Sequence, residues 1–225
     1  MTKIIANPFT LTALLLAIVA AVGCNKSDTT AMNATPAKGP APAKVVVPKT
    51  NSVWEPDPGW AGELTQTVTF DKYQLSAPKN LTVDREGTKR EGPFNQFSWG
   101  IESGADVPKL VLIASITEEP KLVAEARKDM KQALVNFTAG IANPFGLQPR
   151  RTTQPEKGSL GGMPFTRYKW NAVTKTRTRL EGLSYGGIDG DRSVLFVALC
   201  FGQDADASLA LVQAVIATLE KKSDS

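Results

Sequence analysis

None of the 225 residues is a histidine. That removes the side chain that most often serves as general base or metal ligand near neutral pH. Ser-His-Asp and Cys-His catalysis are therefore excluded. The two cysteines, Cys24 and Cys200, are too few for a cysteine zinc site. Carboxylates remain as acids and bases. Glu102, Asp106, Glu118 and Glu119 are available, but nothing in their spacing sets two of them across a cleft. Asp189-Gly190-Asp191 puts two carboxylates together, well short of the roughly six oxygens calcium takes, so it reads as a hairpin turn. Gly158, Gly161 and Gly162 are not followed by a helix and make no phosphate loop. Arg150, Arg151, Arg167, Lys169, Arg177 and Arg179 would form a basic strip if their strands are neighbours, able to hold anionic headgroups or an acidic partner. Against that stands a solvated face balanced by Glu156 and Glu181. No cofactor is expected.

The other residue with a defined chemistry is Cys24. Lys3 gives a short positive n-region, and Phe9 to Val22 runs almost wholly apolar before Gly23-Cys24. A spanning helix needs about 20 apolar residues; this core is shorter, as a secretion signal should be. Ala21-Val22-Gly23-Cys24 resembles the bacterial lipobox, with small residues at −3 and −1 and cysteine at +1. That resemblance implies cleavage before Cys24, acylation of its thiol and a membrane-held domain outside the cytoplasm, on the periplasmic side of a bacterial envelope. It departs from the usual pattern at Ala21, where leucine is common, and at Asn7-Pro8 before the core. An uncleaved anchor helix is the other reading. With Cys24 acylated, Cys200 has no partner for a disulfide; set in an apolar run, it reads as a small buried hydrophobe.

Residues 25–50 are rich in Ala, Pro, Lys and Thr, have no apolar periodicity and cannot bury a core. They read as an extended tether. Charge follows the same division. The first fifty residues carry five lysines against Asp28 alone, whereas residues 51–225 hold 21 basic and 21 acidic side chains. The pI of about 9.0 therefore belongs to leader and tether, and a nucleic-acid partner is not expected. The organisation is a signal peptide over 1–23, the lipidated cysteine, tether and lead-in over 24–63, one domain over 64–221 and a tail over 222–225. Trp54 and Trp60, in the lead-in, are expected to pack on the domain edge; a ligand platform is the other reading.

Within the domain, 67–70 and 73–76 read as short strands and 94–101 as another. Lys109 to Ile116 and Ser193 to Phe201 are apolar on both faces, as interior strands covered on both sides should be. Pro120 opens a helix at its favoured position. Leu122, Ala126, Met130, Leu134, Phe137 and Ile141 then form one stripe, to a stop near Gly140 and Asn143-Pro144. Pro164 to Val173 alternates, with Thr166, Tyr168, Trp170 and Ala172 facing one way. Arg177 to Tyr185 is the next strand, followed by a hairpin connection over 186–191. Asp204 or Asp206 can cap a last helix with Leu209, Val212, Val215, Ile216 and Leu219 on its buried stripe. Two strands buried on both faces require cover on both. The expected class is α+β, a mostly antiparallel sheet with helices on either face, an α/β/α sandwich.

Tyr73-Gln74-Leu75-Ser76-Ala77-Pro78, Gly161-Gly162-Met163-Pro164-Phe165-Thr166-Arg167-Tyr168, the hairpin 177–201 and the closing Val215-Ile216-Ala217-Thr218-Leu219 together resemble the PsbP-like (Mog-type) family over most of residues 64–221. These are packing and turn motifs, so the resemblance implies a fold rather than a site. It implies a non-enzymatic binding or assembly role with an envelope protein partner. A carboxylate-dependent hydrolase and a purely structural envelope protein are the other readings.

Overall fold

The computed structural model describes residues 52–102, 108–143, 146–174 and 178–222. The leader, Cys24 and the tether lie outside them, as do Asp106 and Arg177. In chain order the strands are β1 (Ser52–Val53), β2 (Gln66–Phe70), β3 (Tyr73–Ala77), β4 (Thr82–Glu91), β5 (Phe94–Glu102) and β6 (Pro108–Thr117). Helices α1 (Pro120–Lys128) and α2 (Met130–Ala142) follow. Then come β7 (Arg150–Arg151), β8 (Glu156–Leu160), β9 (Met163–Val173), β10 (Arg179–Asp189), β11 (Arg192–Phe201), α3 (Ala205–Ala217) and β12 (Glu220–Lys221).

One sheet dominates, in the order β1-β8-β9-β10-β11-β6-β5-β4, with β7 beside β8 on the same edge of β9. All its pairs are antiparallel except β1 with β8. The two runs apolar on both faces become β6 and β11, neighbours inside the sheet. Cover comes from both sides, because each face of such a strand needs its own apolar partner. On one face α3 packs on Leu112, Leu183, Phe196 and Ala198. On the other α2 packs on Tyr168, Trp170, Leu195 and Val197. The architecture is the expected α/β/α sandwich.

A second sheet, β12-β3-β2, closes over the α3 face. Its alternation sends Val68, Phe70, Tyr73, Leu75 and Ala77 into the same core as α3. Periodicity read β2 and β3 as strands; their separation into a small sheet of their own is a finding of the structure.

Two sequence expectations need correction. The apolar stripe over 122–141 reads as one helix, but the chain breaks at Asp129, whose φ of −147° and ψ of 82° are not helical. The Asp129 carboxylate accepts from the Gln132 N–H at 3.0 Å and so caps α2; capping wins because it satisfies a donor otherwise left free at a helix start. The second correction concerns the glycines at 186–187, read as part of a hairpin connection. They lie inside β10, and the connection is only Gly190-Asp191, with Gly190 at φ +55° and Asp189 paired to Arg192. Gly186 is there for close approach: a β-carbon would meet Met130 Sδ at 2.6 Å and Leu134 at 2.9 Å, so its absence lets α2 dock on the strand. At the last helix Asp204 holds the N-cap position without a side-chain capping bond, and Asp206 stands in the first turn.

Candidate functional site

The basic residues divide. Residues paired across a ladder share a face, and the register sets Arg150, Arg167 and Lys169 on the α3 face, with Arg179. Arg151 pairs with Trp170 and takes the opposite face, near Tyr168. Carboxylates interleave the row. Arg167 holds Glu156 at 2.9 Å. Arg179 holds Glu181 at 2.8 Å and Asp206 at 3.4 Å. Both guanidiniums titrate higher than usual, Arg179 through its bond to Glu181 and Arg167 because Tyr185 and Glu156 outweigh the cost of burial. Arg177 lies outside the described residues.

Arg167 also lies 4.3 Å over the Trp54 ring, which meets Tyr185 edge-on at 5.4 Å. Trp54 is buried, and its N–H donates to Ser159 O at 3.1 Å, extending the β1–β8 pairing. Packed structure therefore reaches back to Ser52, into the stretch read as lead-in.

A second charged group bridges the two sheets at the β10–β11 turn. Tyr73 donates its hydroxyl to Asp189 at 2.7 Å, and Lys221 reaches the same carboxylate at 2.5 Å. Burial alone would raise the Asp189 pKa; the bonds from Lys221 and Tyr73 outweigh it and hold the carboxyl below its ordinary range. Burial, with Asp189 beside it, pushes the Tyr73 phenol well above its ordinary value. Arg192 pairs with Asp71 and Glu118. Each group here is spent on another, so the cluster is a clamp. Cys200 is fully buried with its thiol pushed up to about 12 by desolvation, which makes it inert.

Beneath α2 lies a buried polar layer. Trp170 Nε1 donates to Ser184 Oγ at 3.0 Å, the Ser184 and Thr138 hydroxyls are 2.7 Å apart, and Tyr168 donates to Thr138 at 2.8 Å. All four residues are under 5 % exposed. The layer is closed on itself, with no polar atom turned towards a ligand.

The open feature is a cavity of about 760 Å³ where the ends of β5, β6 and β11 meet the start of α3. Its polar lining includes Glu63, Glu102, Lys109, Asp204 and Ser208, with Trp60 beside them. Lys109 stands 3.9 Å from Asp204. Glu63 and Glu102 are exposed and form no ion pair among the described residues. Ser208 is 2 % exposed, and its hydroxyl has no hydrogen-bond partner among the described residues. Ile101, Leu110 and Leu211 make the apolar wall, and from it a crevice too narrow for water runs on between Leu112, Val212 and Val215. Of these residues the sequence singled out Glu102 as a chemical group. The others come from four separated stretches of chain, 60–63, 101, 109–112 and 204–215, and apart from Trp60, which also read as a ligand platform, no local pattern announces them. Among the described residues no three His, Cys, Asp or Glu side chains are placed to hold a metal ion, and no helix is long and apolar enough to cross a membrane.

No family model and no curated protein matches this sequence. Solved structures do match in shape. The cyanobacterial PsbP protein of Synechocystis sp. PCC 6803 aligns over 70% of this chain and 92% of its own, with a TM-score of 0.52 at 13% identity. LpqN of Mycobacterium tuberculosis, described as involved in cell envelope biogenesis, aligns over 70% and 90% with a TM-score of 0.46 at 9% identity. The Ran-binding protein Mog1p of Saccharomyces cerevisiae aligns over 68% and 85%, at 0.42 and 11%. A Bacteroides thetaiotaomicron protein is matched over 46% of its length, so the chain spans about half of that molecule. The fold is of the PsbP type.

Proposed function

We propose that this chain is a lipid-anchored envelope protein acting as a non-enzymatic binding or assembly module, with its occupant seated in the cavity at the start of α3. The cavity carries the binding half of this reading. At about 760 Å³ it lies within the size range of ligand sites, its walls are about equally polar and apolar, and it holds groups that the fold leaves unengaged. The other charged clusters are occupied with one another. The anchoring half is supported by the apolar leader and by Cys24 at its end. The tether then carries the domain off the bilayer surface.

In-cell cross-linking of the chain in its native envelope, read by mass spectrometry, tests both halves. Wild type is expected to carry lipid and to capture one reproducible protein partner. Cys24→Ala is expected to lose lipid label and to stay uncleaved at that position. Normal processing of Cys24→Ala would overturn the anchor, and capture of no partner above background would overturn the assembly role.

A carboxylate-dependent hydrolase is the second reading, because Glu63, Glu102 and Asp204 line one cavity. It ranks lower on physical grounds. A general acid at neutral pH must be held protonated, usually by burial, and all three of these side chains are exposed. Turnover of an envelope substrate that vanished in Glu102→Gln would reverse the ranking.

A further inference from the structure

Resting on the reading of the cavity as the binding site, we infer that its occupant is a small organic cation: an ammonium carried on an apolar stem. Among the described residues three carboxylates line the cavity, Glu63, Glu102 and Asp204, against one ammonium, Lys109. The α3 N-terminus adds about half a positive charge, which does not reverse the balance. Lys109 already leans on Asp204, at 3.9 Å. Glu63 and Glu102 are left as the negative groups that a bound cation would meet.

Two further observations point the same way. Trp60 is a partly buried aromatic on the cavity wall, and among the described residues its ring makes none of the close ring contacts found in the core. Its backbone holds Glu63 one turn on, where the Glu63 N–H donates to Trp60 O at 2.9 Å. An aromatic ring and a carboxylate lining one cavity are the kinds of group that hold ammonium ions. Ser208 supplies the second observation. Ser208 is among the residues around the cavity, and its buried hydroxyl has no partner among the described residues. A buried hydroxyl left without a partner costs free energy, and an ammonium donor would relieve it. The stem has its own place against the apolar wall of the cavity, Ile101, Leu110 and Leu211. A cation with no apolar part would leave that wall unused; a plain hydrocarbon would leave the carboxylates and Ser208 unmet.

The test uses the full chain in detergent and three probes of one shape: 4-phenylbutylamine, 4-phenylbutanol and 4-phenylbutanoate, each titrated by calorimetry. The amine is expected to bind at least about tenfold more tightly than the alcohol, since an ion-assisted hydrogen bond and a cation over an indole are both lost with the charge. The butanoate is expected not to bind. Glu102→Gln and Trp60→Ala should each weaken the amine by about fivefold or more, with melting temperatures near wild type because both side chains reach solvent. Glu125→Gln, an exposed carboxylate on α1, should change nothing. Equal binding of amine and alcohol, tighter binding of the butanoate, or an amine affinity unmoved by Glu102→Gln would overturn the assignment. Failure here alongside a reproducible cross-linked partner would remove the cation and leave the binding module standing. Amine binding without any cross-linked partner would do the reverse to the assembly role.

Discussion

The layer under α2 and the cavity at the start of α3 both set hydroxyl groups among apolar side chains, with opposite outcomes. Under α2, Thr138, Tyr168, Trp170 and Ser184 satisfy one another. At the cavity, Ser208 is just as deeply buried but has no partner among the described residues, as is also true of Ser115, Ser193 and Trp99 Nε1 in the core. Burial of a polar atom is therefore not itself a sign of function. What separates the two regions is closure. A closed network fixes packing and excludes ligand, whereas an open one leaves interaction energy for something outside the chain.

The largest effect should come from the closed layer. A β-carbon on Gly182 would stand 2.1 Å from the Trp170 ring, and the rigid indole is held at its Nε1 by Ser184. Gly182→Ala should cost about 2–4 kcal/mol of stability, measured by denaturant unfolding. Retention of wild-type stability would mean that the layer is loose and the contrast with the cavity unfounded.

The two serines give the sharper test. Ser184→Ala removes the acceptor of Trp170 and the neighbour of Thr138, and should cost about 1–3 kcal/mol. Ser208→Ala removes a hydroxyl with nothing to lose and should stay within about 0.5 kcal/mol of wild type or gain slightly. Equal losses in the two variants would show that Ser208 has an internal partner and that the cavity is merely part of the core.

The smallest expected effect concerns the clamp, a closed set built from charges instead of hydroxyls. The Asp189 carboxyl is held below its ordinary range. Its contribution is therefore present above the unfolded carboxylate pKa and lost as pH falls through the lower folded value. Stability should decline from about pH 4 downward, and Asp189→Asn should flatten that part of the profile in acid-dependent melting. An unchanged profile would show that Tyr73 and Lys221 do not favour the ionised form of Asp189.

Part of this was readable in the sequence. Runs that are apolar at every position, such as 193–201, demand cover on both faces wherever they are placed, and β11 has it. The alternation through 164–173 gave the facing of Tyr168 and Trp170 correctly, since a strand has only two faces. Where a local cue had two uses, the sequence could not choose. Glycines at 186–187 suit a turn or a helix docking site, and only the position of Met130 and Leu134 decides. An aspartate within an apolar stripe is a surface residue or a cap, and only the break at Asp129 shows which.

The sequence by itself determined the missing histidine chemistry, the leader pattern ending at Cys24, the neutral charge of residues 51–225 and the two-sided burial of β6 and β11, because composition and periodicity are local properties. Tertiary structure alone decided that Arg151 parts from Arg150, Arg167, Lys169 and Arg179, that Asp189 serves a clamp, and that Trp60, Glu63, Glu102 and Ser208 line one cavity. Those residues are far apart along the chain, and a cavity is made by what the fold leaves unfilled between them, which no stretch of sequence encodes on its own.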